Sequence, residues 1–302
     1  MSKNLLVPID FQPESLAALD FAVVLATSIQ ADIHLLYVIE IENPLLKMVL
    51  TKEQKGLIVE CARKKMHTLI KEKYAASGRS FHEHVLQGKI YNKIVATAVS
   101  VKAEMIIMGR KDSSDRVKNF TGTNTVHIIR ESNIPIITLK RKIPAAGCRH
   151  ILLPLDLSKP VLKQVRSSIH IAHLLSAQIS IVSVLTVDRA SLEISYSVRL
   201  AEIRDLFEKS GIHCNYTLIK DFSPDLPVIL NSHASKIKAD LLITMTQQEQ
   251  NFTNYFIGSH AQEIINRSDI PVLSMTPTIP DYEDVPDEFI SRIIDPINIL
   301  KY

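Results

Sequence analysis

Short apolar runs alternate with longer segments of helical periodicity along most of the chain. Asn4 to Ile9 is a continuous apolar run of strand length, and apolar residues at helical spacing follow from Pro13 to Ile29. The same alternation predicts further strands at 33–39, 81–86, 105–108 and 134–139, and further helices at 51–74, 90–101 and 122–130. Continuous apolar strands separated by helices predict a parallel sheet with helices on both faces.

The pattern then occurs a second time. Residues 4–40 align without gaps on 150–186 with 8 identities in 37 positions, and residues 103–140 align on 239–276 with 9 in 38. Two alignments in the same order indicate a duplicated domain. The second copy is predicted to have strands at 151–155, 178–184, 213–219, 240–244 and 270–275, and helices at 158–175, 189–210, 224–236 and 258–267.

The repeat predicts two α/β domains, at residues 1–142 and 148–276. A short segment at 140–148, which carries proline and glycine, links them. Residues 277–302 lie outside the repeat and form a C-terminal extension. Six acids and a set of Phe, Ile and Leu at helical spacing predict a short amphipathic helix at about 286–295, which docks on its own chain or on a second protomer.

Composition narrows the class of protein. The 302 residues are 46% hydrophobic, enough for two cores, yet no apolar run reaches the ~18 residues of a membrane helix, and the first ten lack a signal-peptide pattern. We therefore expect a cytoplasmic protein that does not bind membranes. The net charge of +3 is too small to indicate nucleic-acid binding, and three scattered cysteines do not indicate disulfides or a thiolate metal site.

Candidate chemistry is concentrated in residues 103–140. Gly109 ends the fourth strand, a polar loop rich in Arg and Lys follows, and Gly122, Thr123 and Asn124 open a helix. A glycine lets a ligand approach the backbone closely, and free N–H groups at a helix start suit a phosphate. The same features occur in many α/β proteins without a ligand, so the motif alone is a weak signal of a phosphate site.

Several stretches, taken together, resemble the universal stress protein family. They are LLVPID before a helix, IHLLYVIE, Gly88 after the third strand, IIMG, the Gly-Thr pair at 122–123, and NIPIITL. The resemblance covers about 275 residues in both copies and implies doubly wound five-stranded domains of strand order 3-2-1-4-5. It also implies pairing of the two fifth strands, as in the dimers of single-copy members. We expect the two copies to pack face to face through them, and an additional homodimer stays open.

The resemblance also implies a site for ATP or another adenine nucleotide in the first domain. The residues on its nucleoside side are Pro8, Asp10 and Val38, and those on its phosphate side are Gly109, Arg110, Gly122, Thr123 and Asn124. In family members that bind ATP, the motif is a glycine, two residues, a middle glycine, nine residues, and a last glycine followed by Ser or Thr. Asp112 departs from it, because it occupies the position of the middle glycine, where a carboxylate repels phosphate unless Mg²⁺ bridges the two. In the second copy Met245 and Gln248 replace the first and middle glycines and only Gly258-Ser259 remains, so we predict that this copy is degenerate for ATP.

Alternative interpretations remain for the residues singled out. Asp10 suits an Asx turn at the helix start as well as a ligand contact. Histidines 34, 82 and 84 could hold Zn²⁺, although polar residues are also typical of an edge strand. The leading hypothesis is a binding and regulatory module without catalytic residues. The alternatives are a slow Mg²⁺-dependent ATPase and a ligand-free scaffold that acts through protein contacts.

Overall fold

The computed structural model describes residues 2–40, 51–110, 123–140, 144, 147–222, 225–246 and 259–276. Among these residues, ten strands form one sheet in the order β3-β2-β1-β4-β5-β10-β9-β6-β7-β8. The strands are β1 (Lys3–Pro8), β2 (Ala31–Ile39), β3 (Phe81–Gln87), β4 (Ala103–Gly109), β5 (Ile136–Leu139), β6 (His150–Pro154), β7 (Gln178–Leu185), β8 (Cys214–Lys220), β9 (Leu241–Met245) and β10 (Val272–Met275). Each half has the predicted order 3-2-1-4-5, which confirms the fold class. The boundaries 1–142 and 148–276 stay predictions.

Eight α-helices connect the strands within the described part of the chain. They are α1 (Pro13–Ile29), α2 (Lys52–Leu69), α3 (Ile90–Ser100), α4 (Thr123–Glu131), α5 (Leu162–Leu175), α6 (Ala190–Lys209), α7 (Leu226–Ile237) and α8 (Ser259–Arg267). The predicted helix at 51–74 ends as an α-helix at Leu69 and continues as a π turn over Ile70–Tyr74. In the part of the chain that the structure describes, no helix is long and apolar enough to cross a bilayer.

The helices cover both faces of the sheet. Helices α1, α2, α5 and α6 pack on one face, where the buried side chains include Phe21 and Phe207. Helices α3, α4, α7 and α8 pack on the other face, around residues such as Leu6 and Leu242. Each buried cluster contains residues from both halves of the chain, so the two halves share their cores.

The two halves meet where β5 pairs with β10. This pair is antiparallel, with Thr138 opposite Val272 and Ile136 opposite Ser274, whereas every other strand pair in the sheet is parallel. The predicted contact between the fifth strands is therefore confirmed. The expectation of face-to-face packing is wrong, because the sheets join edge to edge and continue into one another.

Helix α5 begins later than the sequence pattern predicts. The pattern predicts a start at residue 158, whereas the helix begins at Leu162. Its counterpart α1 begins at Pro13, which aligns with Lys159 in the repeat. Pro160 contributes to this difference, because the residue before a proline is disfavoured in helical conformation.

The shared core makes a prediction about cooperativity. Leu273 is fully buried at the junction, opposite Ile137, and Leu273→Ala should lower the free energy of unfolding by about 2–5 kcal/mol. Thermal unfolding followed by circular dichroism should show one transition, at a lower temperature. The control Val99→Ala removes an exposed side chain and should change stability by no more than about 0.5 kcal/mol. Two separated transitions in Leu273→Ala would contradict a shared core.

Candidate functional site

The candidate site lies at the carboxyl ends of β1 and β4 in the first half. From β1 the chain continues to β2 on one side, while β4 continues to β5 on the other. Ligands of doubly wound sheets bind outside the carboxyl ends of the strands at this change of direction. Pro8 ends β1, Gly109 ends β4, and Val38 is the penultimate residue of β2, where it is paired with Leu86 and half-buried.

Asp10 lies two residues beyond β1 and is fixed by the start of α1. Its Oδ1 accepts hydrogen bonds from the backbone N–H of Gln12, at 2.9 Å, and from the hydroxyl of Ser15, at 2.6 Å. The Ser15 Oγ in turn accepts the backbone N–H of Asp10, at 3.2 Å. These hydrogen bonds form an Asx turn, which is one of the two alternatives that the sequence offers for Asp10. The side chain is exposed, and within the described residues its Oδ2 has no partner.

Phe11 follows Asp10 in an unusual backbone conformation. Its φ of +63° is in the left-handed region, which is strained for a bulky residue. The Phe11 ring lies 5.3 Å from the ring of Tyr37, and the ammonium of Lys65 lies 4.2 Å from its centroid. The Phe11 ring thus packs against Tyr37 and Lys65 beside the turn that carries Asp10. Sequence reasoning missed them, because no local signal indicates a positive φ at a phenylalanine or a contact between α2 and this turn.

Gly109 makes room for the backbone of α1. A Cβ at this position would lie 2.0 Å from the carbonyl oxygen of Glu14 and 2.7 Å from the backbone nitrogen of Ser15. The first turn of α1 therefore packs directly on the end of β4, and this contact requires glycine whether or not a ligand binds. Met245 occupies the equivalent position in the second half, where the helix begins about one turn later.

Arg110 is directed into the junction between the halves. Its guanidinium is buried and donates hydrogen bonds to the carbonyl oxygens of Asn266 and Ser268, the latter at 2.9 Å. These carbonyls lie at the carboxyl end of α8, where a cation is favourable. The guanidinium, which the resemblance assigns to the phosphate side, thus stabilises the contact between the halves.

The remaining residues of the predicted phosphate side are only partly described. Gly122 and Asp112 lie outside the described residues. Thr123 and Asn124 form the start of α4, as predicted, and their side chains are outside the described part.

The equivalent aspartate of the second half has a different environment. The Oδ1 of Asp156 accepts hydrogen bonds from the backbone N–H and hydroxyl of Ser158, while its Oδ2 lies 3.1 Å from the Lys159 ammonium. Burial alone would raise the pKa of Asp156, but the hydrogen bonds from Ser158 and Lys159 outweigh it and lower the pKa. Both oxygens are thus occupied, and the position of Lys159 is taken by a proline in the first half.

The three histidines of the first half form a stacked cluster. The ring of His34 lies 4.5 Å from that of His82, and its Nδ1 is 2.9 Å from the Nε2 of His84. His82 also lies 3.7 Å from the carboxylate of Asp32. The zinc alternative is not supported, because no group of three or more His, Cys, Asp or Glu among the described residues could hold a metal ion.

The role of Gly109 is tested by adding one methyl group. Gly109→Ala should lower the free energy of unfolding by roughly 1–3 kcal/mol, because its Cβ must displace the backbone of α1. The matched control is Gly56→Ala, at an exposed position of α2 where a Cβ meets nothing within 4 Å. This control should be stabilised by roughly 0.5–1 kcal/mol. Equal stability of the two variants in urea unfolding would contradict the packing role.

The histidine cluster makes a prediction about pH. Burial, and then the proximity of His82 and His84, lower the pKa of His34 from 6.5 to about 4, against the opposite effect of Asp32. Burial and His82 also lower the pKa of His84. Between pH 6.5 and about 4 the unfolded chain therefore binds more protons than the folded chain. The neutral histidine cluster therefore makes its full contribution to the free energy of unfolding above pH 6.5, and this contribution decreases as the pH falls towards 4.

Melting temperatures of the wild type and His34→Gln should be compared from pH 7.5 to 4.5. The variant should lose less stability than the wild type as the pH falls. His173→Gln, which removes an exposed imidazole on α5, should follow the wild type. If the melting temperatures of the wild type and His34→Gln change in parallel with pH, the cluster does not contribute to the pH dependence of stability.

Comparisons with known proteins agree with this architecture. A universal stress protein of Methanocaldococcus jannaschii is 25% identical over 142 residues, which are 46% of this chain and 82% of that protein. A universal stress protein structure from Archaeoglobus fulgidus aligns with a TM-score of 0.70 at 17% identity, covering 92% of this chain and 100% of the other. A second structure, a putative universal stress protein from Pseudomonas aeruginosa, has a TM-score of 0.60 at 16% identity, covering 98% and 97%. Both structures share the fold of this chain.

The model of the universal stress protein family matches twice. The first match covers residues 1–140, which contain β1 to β5, and the second covers residues 147–274, which contain most of β6 to β10. Together the matches span most of the 302 residues. The chain belongs to the universal stress protein family, as a tandem member with two copies of the family's domain.

Proposed function

We propose that the first domain binds an adenine nucleotide at the carboxyl ends of β1 and β4 and that the protein acts as a binding and regulatory module. The nucleoside side would be formed by Pro8, Asp10 and Val38, and the phosphate side by the segment that ends in Gly122, Thr123 and Asn124. The second domain would not bind ATP. Here the first domain is the one predicted at residues 1–142, and the second is the one predicted at residues 148–276.

The observation that carries the proposal is the hydrogen bonding of the Asp10 carboxylate. Its Oδ1 is fixed by the start of α1, its Oδ2 has no partner among the described residues, and the residue is exposed. A carboxylate held in this way can accept a hydrogen bond from a ribose hydroxyl without rearranging first. In the second domain Lys159 occupies the corresponding oxygen of Asp156, which supports a single nucleotide site in the chain.

A ligand-free scaffold is the second candidate, and two observations favour it. Gly109 is explained by the packing of α1, and Arg110 is explained by its hydrogen bonds to α8. Neither residue then requires a phosphate. Slow hydrolysis of ATP is a third candidate, and it would need Mg²⁺ and a residue that orients the attacking water. A bound Mg²⁺ would reduce the repulsion between Asp112 and a polyphosphate.

The variant Asp10→Asn separates these candidates. Asparagine keeps an oxygen for the hydrogen bonds from Gln12 and Ser15 but removes the charge that would face the ribose. Since a hydrogen bond to a charged group contributes ~1.5–3 kcal/mol, ATP with Mg²⁺ should bind at least roughly tenfold more weakly in calorimetric titration. The melting temperature without nucleotide should stay close to that of the wild type.

Asp156→Asn is the matched control and should leave the ATP affinity unchanged. The wild type should bind one nucleotide per chain. Absence of binding by the wild type would favour the scaffold, and equal binding by Asp10→Asn would place the nucleotide elsewhere. Release of phosphate during the titration would instead indicate the ATPase.

A further inference from the structure

Arg110 connects the end of β4 to the second half of the chain. Its backbone N–H donates to the carbonyl oxygen of Leu139, at 2.7 Å, so residue 110 continues the hydrogen bonding between β4 and β5. Its side chain, in a residue that is only 4% exposed, donates to the carbonyls of Asn266 and Ser268. The backbone that follows Gly109 is therefore held by β5 of its own half and by α8 of the other.

The carboxyl end of α8 is itself fixed by α7. The side-chain amide of Asn231 donates to the carbonyl oxygen of Arg267, at 2.9 Å, and its Oδ1 accepts the backbone N–H of Asp269, at 3.3 Å. The carbonyls of residues 266–268 are thus all bonded, two of them to Arg110 and one to Asn231. Two helices of the second half therefore hold the partners of this guanidinium in place.

The topology places this contact at the edge of the sheet that carries the candidate site. Because β5 and β10 are antiparallel, the amino edge of the second half lies on the same side as the carboxyl edge of the first. Helix α8 leads into β10, so its carboxyl end lies at that amino edge. Arg110 directly follows Gly109, at the end of β4, and it directly precedes the segment that forms the phosphate side in the proposed function.

Among the described residues, the contact occurs at one end of the junction and not at the other. Thr246 aligns with Arg110 in the repeat, and its hydroxyl donates to the carbonyl of Met275 in its own half, at 3.3 Å. A cation that only joined the halves would serve equally well at both ends of a pseudo-symmetric junction. Arg110 instead belongs to the half with the proposed nucleotide site, and Thr246 to the half that is predicted to be degenerate.

We infer that the second half completes the nucleotide site of the first half, with Arg110 as a positioning residue. This inference rests on the proposed function. The guanidinium fixes the backbone from which the phosphate side starts, so that nucleotide binding does not have to order it. The second domain thus sets the ATP affinity of the first, although it does not bind ATP itself.

Calorimetric titration with ATP and Mg²⁺, and separately with adenosine, tests this role. All variants are made in the full chain, whose predicted C-terminal extension at 277–302 lies outside the described residues. Arg110→Met keeps an apolar stem but removes the hydrogen bonds to α8. Its ATP affinity should fall at least about fivefold, as is typical of coupled sites, while its adenosine affinity should stay within about twofold of the wild type. Arg110→Lys keeps a cation at the end of α8 and should lose less ATP affinity.

Two variants in the second half complete the test. Asn231→Ala leaves every residue of the first half in place but releases the carboxyl end of α8, so it should also lower the affinity for ATP and not that for adenosine. This variant decides the question if circular dichroism shows that Arg110→Met does not fold. The matched control Thr246→Ala removes a buried hydrogen bond at the other end of the junction and should leave both affinities unchanged.

Two results would refute the inference while nucleotide binding persists. The first is a wild-type affinity for ATP in both Arg110→Met and Asn231→Ala. The second is an equal loss of ATP and adenosine affinity in these variants, which would mean that Arg110 only stabilises the fold. A wild type that binds neither ligand would instead refute the proposed function, and this inference with it.

Discussion

The antiparallel hydrogen bonding between β5 and β10 makes one sheet out of two. All four residues of each strand are buried, and either strand alone would be an apolar edge open to pairing with other chains. Joined, they place the edges of the sheet at β3 and β8, which carry histidine, glutamate, asparagine and lysine. The shared cores on both faces, and the guanidinium of Arg110, depend on this pairing.

The residues of the phosphate motif show how one sequence signal can have two physical origins. A glycine at a strand end suits close approach of a ligand, and it equally suits close approach of a helix. The 2.0 Å separation between a Cβ at Gly109 and the Glu14 carbonyl shows that the helix already fills this space. Asp10 differs, because one oxygen of its carboxylate has no partner among the described residues. The case for a nucleotide therefore depends more on Asp10 than on the glycines.

The fold could be predicted closely, because it depends on local periodicity and on a repeat that aligns without gaps. Strand order followed from the resemblance to a family, and the pairing of β5 with β10 followed from it as well. The partner of Arg110 could not be predicted in this way, since Ser268 lies 158 positions away along the chain. The late start of α5 was also missed, although Pro160 gave a local signal for it. The contact of Lys65 with Phe11 depends on how α2 packs, which no spacing in the sequence indicates.

Covalent fusion of the two copies has a consequence for how they can diverge. In a symmetric homodimer every residue occurs twice, so a residue that suits one end of the sheet must suit both. Here Arg110 faces the carboxyl end of α8, while its counterpart Thr246 is buried and bonds only to Met275 among the described residues. Likewise glycine stands at 109 and methionine at 245. The single chain can therefore keep the symmetry of its sheet and still give each end of the sheet its own chemistry.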